Sequence, residues 1–208
     1  MLWKTLIILL AIAFTADAQV YDALGYVTTK AEIKRFAYHV RIGVAANEED
    51  QPNWVGGGSL LTEKWVLTCA HIFTFEEKVI KLHAIHPDYY KNKITRSAKL
   101  PAIPHREWNK ETMENDIALV KLKRKLDKNG IAYVNLPQSI KGREGYQDIK
   151  EGEKFQFCGH GKTSTGINAQ DPINLYYGES YVLNFARCEN LNESASLFQS
   201  EATQICAG

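Results

Sequence analysis

Hydrophobic and polar positions alternate along much of the chain with the two-residue period of half-buried strands. Ser59 to Leu61 and Trp65 to Leu67 are two short apolar runs, and the polar Thr62-Glu63-Lys64 between them predicts a hairpin loop. Residues 79–108 alternate in the same manner, with Pro87, Pro101 and Pro104 expected to act as breakers. From Tyr26 to Val44 the pattern is again that of short strands. The second run of the hairpin ends in Thr68-Cys69-Ala70-His71, which leaves an imidazole at a strand end, where a rigid sheet can hold it. His83 and His86 also lie on an alternating segment. Residues three apart on a strand point to opposite faces, so these two are not expected to share a metal ion. Tyr176-Tyr177 reads as core and edge packing, and no metal or cofactor site is expected.

Composition narrows the class. Lys and Arg number 25 against 24 Asp and Glu, so the net charge of +1 offers no general attraction for nucleic acid or an acidic membrane surface. The basic cluster Lys121 to Lys128 is interrupted by Leu122, Leu126 and Asp127, and reads as a solvated strand exit. Residues 1–18 read as a secretory signal. Lys4 supplies the positive start, Leu6 to Phe14 is an apolar run, and Ala16-Asp17-Ala18 offers the small-x-small cleavage site before Gln19. That run is too short for the roughly 20 apolar residues that a membrane-spanning helix needs. A secreted, extracellular protein is expected. Asn192-Glu193-Ser194 is a glycosylation acceptor consistent with that route. Four cysteines, Cys69, Cys158, Cys188 and Cys206, permit three pairings among which spacing does not choose.

Two motifs then carry a resemblance. Gly57-Gly58-Ser59-Leu60 and Trp65-Val66-Leu67-Thr68-Cys69-Ala70-His71 resemble the Gly-Gly-Ser-Leu and Trp-Val-Leu-Thr-Ala-Ala-His of the trypsin/chymotrypsin serine endopeptidases. Asn115-Asp116-Ile117-Ala118-Leu119-Val120-Lys121-Leu122 is similar to that family's Asn-Asp-Ile-Ala-Leu-Leu-Lys-Leu, and it follows His71 at the family's own interval. The resemblance implies an all-β fold of two packed antiparallel six-stranded barrels with the site at their junction. The expected division is a signal over 1–18, a first barrel half over 19–127 and a partial second half over 128–208. It also implies that His71 is a catalytic base, Asp116 its orienting carboxylate, and Cys188–Cys206 a disulfide. Closing that loop would stabilise by roughly 3 kcal/mol on a chain-entropy account. Cys69 and Cys158 match no family disulfide; a bridge between them, separate thiols and pairing with another chain stay open.

Departures from the family pattern matter as much. The family bridges the residue before Gly-Gly-Ser-Leu to the residue after the histidine; here these are Gly56 and Ile72, so an apolar contact is expected to hold the loop. Asp22-Ala23-Leu24-Gly25-Tyr26 stands where the family has a basic residue and Ile-Val-Gly-Gly, which argues against activation by that route. Gly159-His160-Gly161 stands in place of Gly-Trp-Gly. The family's Gly-Asp-Ser-Gly-Gly nucleophile loop would follow Ile205-Cys206-Ala207-Gly208, where the sequence stops. The expectation is a serine endopeptidase lineage member, inactive as these 208 residues, whose full-length form would take peptide or protein substrates. The alternative is a secreted non-catalytic homologue that binds an unknown protein partner.

Overall fold

A computed structural model describes residues 26–27, 30–47, 49–73, 79–84, 94–127, 129–136, 150–160, 175–184, 186 and 206. The signal segment 1–18, His86, Pro87, Cys188 and Asn192 lie outside the described residues. Among the described residues those in strands far outnumber those in helices, and no helix is long and apolar enough to cross a membrane.

Six strands close into an antiparallel barrel in the order β2 (His39–Ala45), β3 (Asn53–Leu60), β4 (Trp65–Thr68), β7 (Ala118–Leu122), β6 (Ile94–Pro104) and β5 (Val79–Ala84), with β5 pairing back onto β2. Closure leaves no unpaired barrel edge, so the ladder groups find partners within the sheet. The period-2 pattern turns Val40 and Ile42 of β2, Leu60 of β3, Val66 of β4, and Val120 and Leu122 of β7 into one buried core. Cys69, Ile72, Ala98 and Leu126 complete it. The hairpin expected at residues 62–64 forms. Ser59 pairs with Leu67 and Leu60 with Val66, while the Thr62 hydroxyl accepts the Lys64 and Trp65 N–H groups at 3.2 Å each. Gly58 is required by close approach, because a Cβ there would sit 2.7 Å from Val66 Cγ1 and 2.9 Å from the Leu67 carbonyl oxygen.

Pro101 lies inside β6 rather than breaking it, whereas Pro104 is the last residue of that strand. The β6–β7 register shifts between Lys99 and Ile103, so Pro101 falls where the ladder is already interrupted and no N–H is called for. Between Tyr26 and Val44 the chain also does more than form short strands, since Lys30–Arg35 is a helix, α1. Its strong helix formers and the three-residue spacing of buried Ile33 and Phe36 account for one turn and a half. So short a piece leaves no readable period in a window of 11–18 residues.

A second, three-stranded antiparallel sheet has the order β1 (Tyr26–Val27), β9 (Tyr176–Tyr181), β8 (Lys154–Gly159). Ile33, Phe36 and Leu175 form its small core, with Tyr38, Cys158 and Tyr177 packed against them. The Phe36 and Tyr177 rings lie 5.6 Å apart, so Tyr177 is a packing residue as the sequence suggests. The N-terminal segment thus lends a strand and a helix to this sheet before entering the barrel at His39. There the His39 and His160 rings stack at 5.4 Å, joining β2 to the exit of β8.

Candidate active site

His71 opens a 3-10 turn, His71–Phe73, directly after β4, and the Phe73 N–H donates to the Ala70 carbonyl at 3.0 Å. The turn follows a firmly held strand. Thr68 is fully buried, and its hydroxyl donates to the Gly57 carbonyl of β3 at 2.7 Å. On the far side of the turn Ile72 enters the barrel core, and a Cβ built on Gly56 would touch its Cγ2 at 3.4 Å. The two positions that would carry the family's disulfide are therefore neighbours, and the core packing of Ile72 holds the turn. Burying Ile72 supplies roughly 1.5–3 kcal/mol in place of a covalent tie.

Asp116 arrives from the loop before β7. Met113 and Asn115 take left-handed backbone conformations, with φ of 58° and 55°, and Asn115 donates its side-chain N–H to the Glu107 carbonyl at 3.1 Å. Asparagine tolerates that region better than most residues. The His105 N–H donates to the Ile117 carbonyl at 2.8 Å and closes the base of the loop. The carboxylate so placed meets His71 twice. Its Oδ1 accepts the His71 backbone N–H at 2.8 Å, and its Oδ2 lies 2.7 Å from Nδ1 of the ring. The first bond satisfies an N–H left without a partner at the start of the turn. The second makes Nδ1 the protonated nitrogen, since a carboxylate only accepts, and leaves Nε2 as the ring's acceptor.

A third side chain stands here, one for which the sequence left a bridge to Cys158, a separate thiol and pairing with another chain open. Cys69 is a buried free thiol, and its Sγ, a ring nitrogen of His71 and a carboxylate oxygen of Asp116 all lie within 4.8 Å of one another. Burial, and secondarily the Asp116 charge, push this thiol up to about 12, so it is no nucleophile at neutral pH. Its place two residues before His71 at a strand exit was the available signal. Ser59 is buried in β3, opposite His39 and Leu67, as a structural residue. Cys206 is buried, its carbonyl accepting the Leu183 N–H at 2.9 Å. Cys158 is a free thiol in the second sheet, so no Cys69–Cys158 bridge forms. A groove of about 730 Å³ lined by Leu61, Trp65, Leu119 and Val134 among others includes neither His71 nor Asp116.

The family model described as Trypsin matches residues 27–208. The chain belongs to the trypsin family of serine proteases. It is 31% identical to Duodenase-1 of Bos taurus over 73% of this chain and 56% of that protein. Trypsin-4 of Rattus norvegicus is 38% identical over 64% of this chain and 50% of its own length. Granzyme-like protein 1 of the same species is 31% identical over 77% and 60%. The chain thus spans 50% to 60% of the length of these three relatives. A solved structure described as "Structure of GrC" superposes with a TM-score of 0.69 over 88% of this chain and 74% of that one, at 23% identity, a likeness of fold.

Proposed function

We propose that this trypsin-family chain carries the proton-transfer half of a serine endopeptidase acting on peptide or protein substrates, with His71 as general base and Asp116 as its orienting carboxylate. The observation that carries the reading is the double contact of Asp116 with His71, at 2.8 Å to the backbone N–H and 2.7 Å to Nδ1. Held in that tautomer, Nε2 takes the proton of an attacking hydroxyl and later returns it to the leaving amine, while Asp116 stabilises the imidazolium formed between. His71 retains a quarter of its side-chain exposure, which leaves the ring open to a substrate on one side.

No serine of residues 1–208 carries a nucleophile signature, and the 208-residue polypeptide by itself is inactive on this reading. The same reading has the signal at 1–18 direct secretion, Asn192 accept glycan, and the division near residue 127 separate the barrel halves. It also pairs Cys188 with Cys206. Support for the pairing is that Cys69 and Cys158 are free thiols while Cys206 is not.

The test is the transcript downstream of the Gly208 codon, joined to an assay of both polypeptides. The expected continuation encodes Gly-Asp-Ser-Gly-Gly. The longer polypeptide is expected to hydrolyse peptides and to take label from serine-directed phosphonates, and the 208-residue one to do neither. Serine-dependent turnover by the short polypeptide would overturn the inactive reading. An in-frame stop, with only the short protein in secretions, would overturn the peptidase reading in favour of a binding homologue.

A further inference from the structure

We propose that Cys69, His71 and Asp116 form a binding site for a borderline-soft divalent cation such as Zn²⁺, and that the ion and the catalytic hydrogen bond exclude one another. The three donor groups are of the mixed sulfur, nitrogen and oxygen kind that zinc takes, and their atoms already lie within 4.8 Å of one another. A tetrahedral ion with bonds of roughly 2.0–2.3 Å holds its ligand atoms roughly 3.3–3.6 Å apart. The site reaches that spacing when Oδ2 and Nδ1 part from 2.7 Å and the thiol closes on both.

The surroundings favour a three-ligand site with one open position. Cys69 is anchored in the barrel core just beyond β4, whereas His71 and Asp116 keep 25% and 16% of their side-chain exposure, so an ion enters from their side and a water completes its shell there. The His71 N–H on Oδ1 orients the carboxylate as an outer partner while Oδ2 ligates. Binding sends the thiol proton to solvent and moves the imidazole proton from Nδ1 to Nε2; no electron is transferred. An ion on Nδ1 therefore leaves Nε2 protonated and unable to accept. That consequence rests on the proposed role of His71 as base, but the site itself does not. A thiolate ligand selects Zn²⁺ or Co²⁺ over Ca²⁺ and Mg²⁺.

Titration of the folded 208-residue chain with Co²⁺, followed by absorption spectroscopy, tests this without reference to proteolysis. One equivalent is expected to produce a near-ultraviolet thiolate-to-cobalt charge-transfer band that Zn²⁺ removes and excess Ca²⁺ does not. Cys69→Ala, which restores the alanine of the resembling motif, is expected to abolish the band and weaken Zn²⁺ binding by more than about 100-fold. Asp116→Asn should keep the band but weaken binding at least about tenfold. Cys158→Ala, which removes the other free thiol, should change neither, and circular dichroism shows that each variant is folded. Absence of the band in the wild type, its survival in Cys69→Ala, or its loss in Cys158→Ala would overturn the site. Zinc binding at Cys69 in a protein whose longer form has no peptidase activity would retain the site and remove only its link to catalysis.

Discussion

The closed barrel and the three-stranded sheet solve the same problem to different depths. In the barrel each of six strands has two neighbours, and one continuous core runs from Val40 to Leu126. Among the described residues β8 pairs on one side only, with β9, and the core beneath it is Ile33, Phe36 and Leu175. Both members of the proposed catalytic pair belong to the barrel: His71 at the exit of β4 and Asp116 at the entrance of β7, two strands that are directly hydrogen-bonded. The lesson is that the pair's geometry rests on the better-buried half. Among the described residues the second sheet meets the barrel at the His39–His160 stack of the seam, away from the pair.

The largest effect that would break this contrast is chemical. In a form that carries the nucleophile, Asp116→Asn should lower kcat by about 10⁴-fold, the loss known for this same change in the serine-protease triad. Stability measured by denaturant should fall far less steeply. Next comes the packing contrast itself. Leu122→Ala, at a site 1% exposed inside the barrel, should cost ~4–5 kcal/mol, and Leu175→Ala in the small cluster ~2–3 kcal/mol. Equal costs in urea unfolding would abolish the distinction.

The seam supplies a pH-dependent version. Burial, and secondarily Arg41, push His39 down to about 4, and its Nε2 is buried with no hydrogen-bond partner among the described residues. The neutral ring is thus favoured in the folded state, while the unfolded chain takes up a proton near 6.5. Stability is therefore complete above about 6.5 and declines as pH falls toward 4, by ~3 kcal/mol from this group. His39→Gln should flatten that part of the profile, and an unchanged profile would move the effect elsewhere. The smallest effect is steric. Gly58→Ala should cost ~1–3 kcal/mol, because its methyl meets Val66 and backbone rather than a movable side-chain end.

Much of the barrel was legible because its strands are half-buried and their hydrophobic period is the strand's own. The Ser59 to Leu67 hairpin and the His71 and Asp116 positions came from short contiguous motifs, which local pattern preserves. What escaped depends on contacts distant in sequence. α1 is too short to show a period, and β1 reveals its place only by pairing with Tyr176 and Tyr177. Pro101 looked like a strand end because the register shift that accommodates it belongs to the β6–β7 pair, not to β6 alone. Cys69 escaped for a related reason. A cysteine invites disulfide arithmetic, and its approach to Asp116 is set by how β4 and β7 are joined.

The most direct test of the central claim is the protonation of the His71 ring. Nitrogen-15 NMR of the folded chain, with His71 assigned by its loss in His71→Gln, reads which nitrogen carries the proton. The account predicts a proton on Nδ1, shifted downfield by Asp116 at neutral pH and returned toward ordinary imidazole behaviour in Asp116→Asn, with Nε2 unprotonated. A neutral ring with its proton on Nε2 in the metal-free wild type would contradict it.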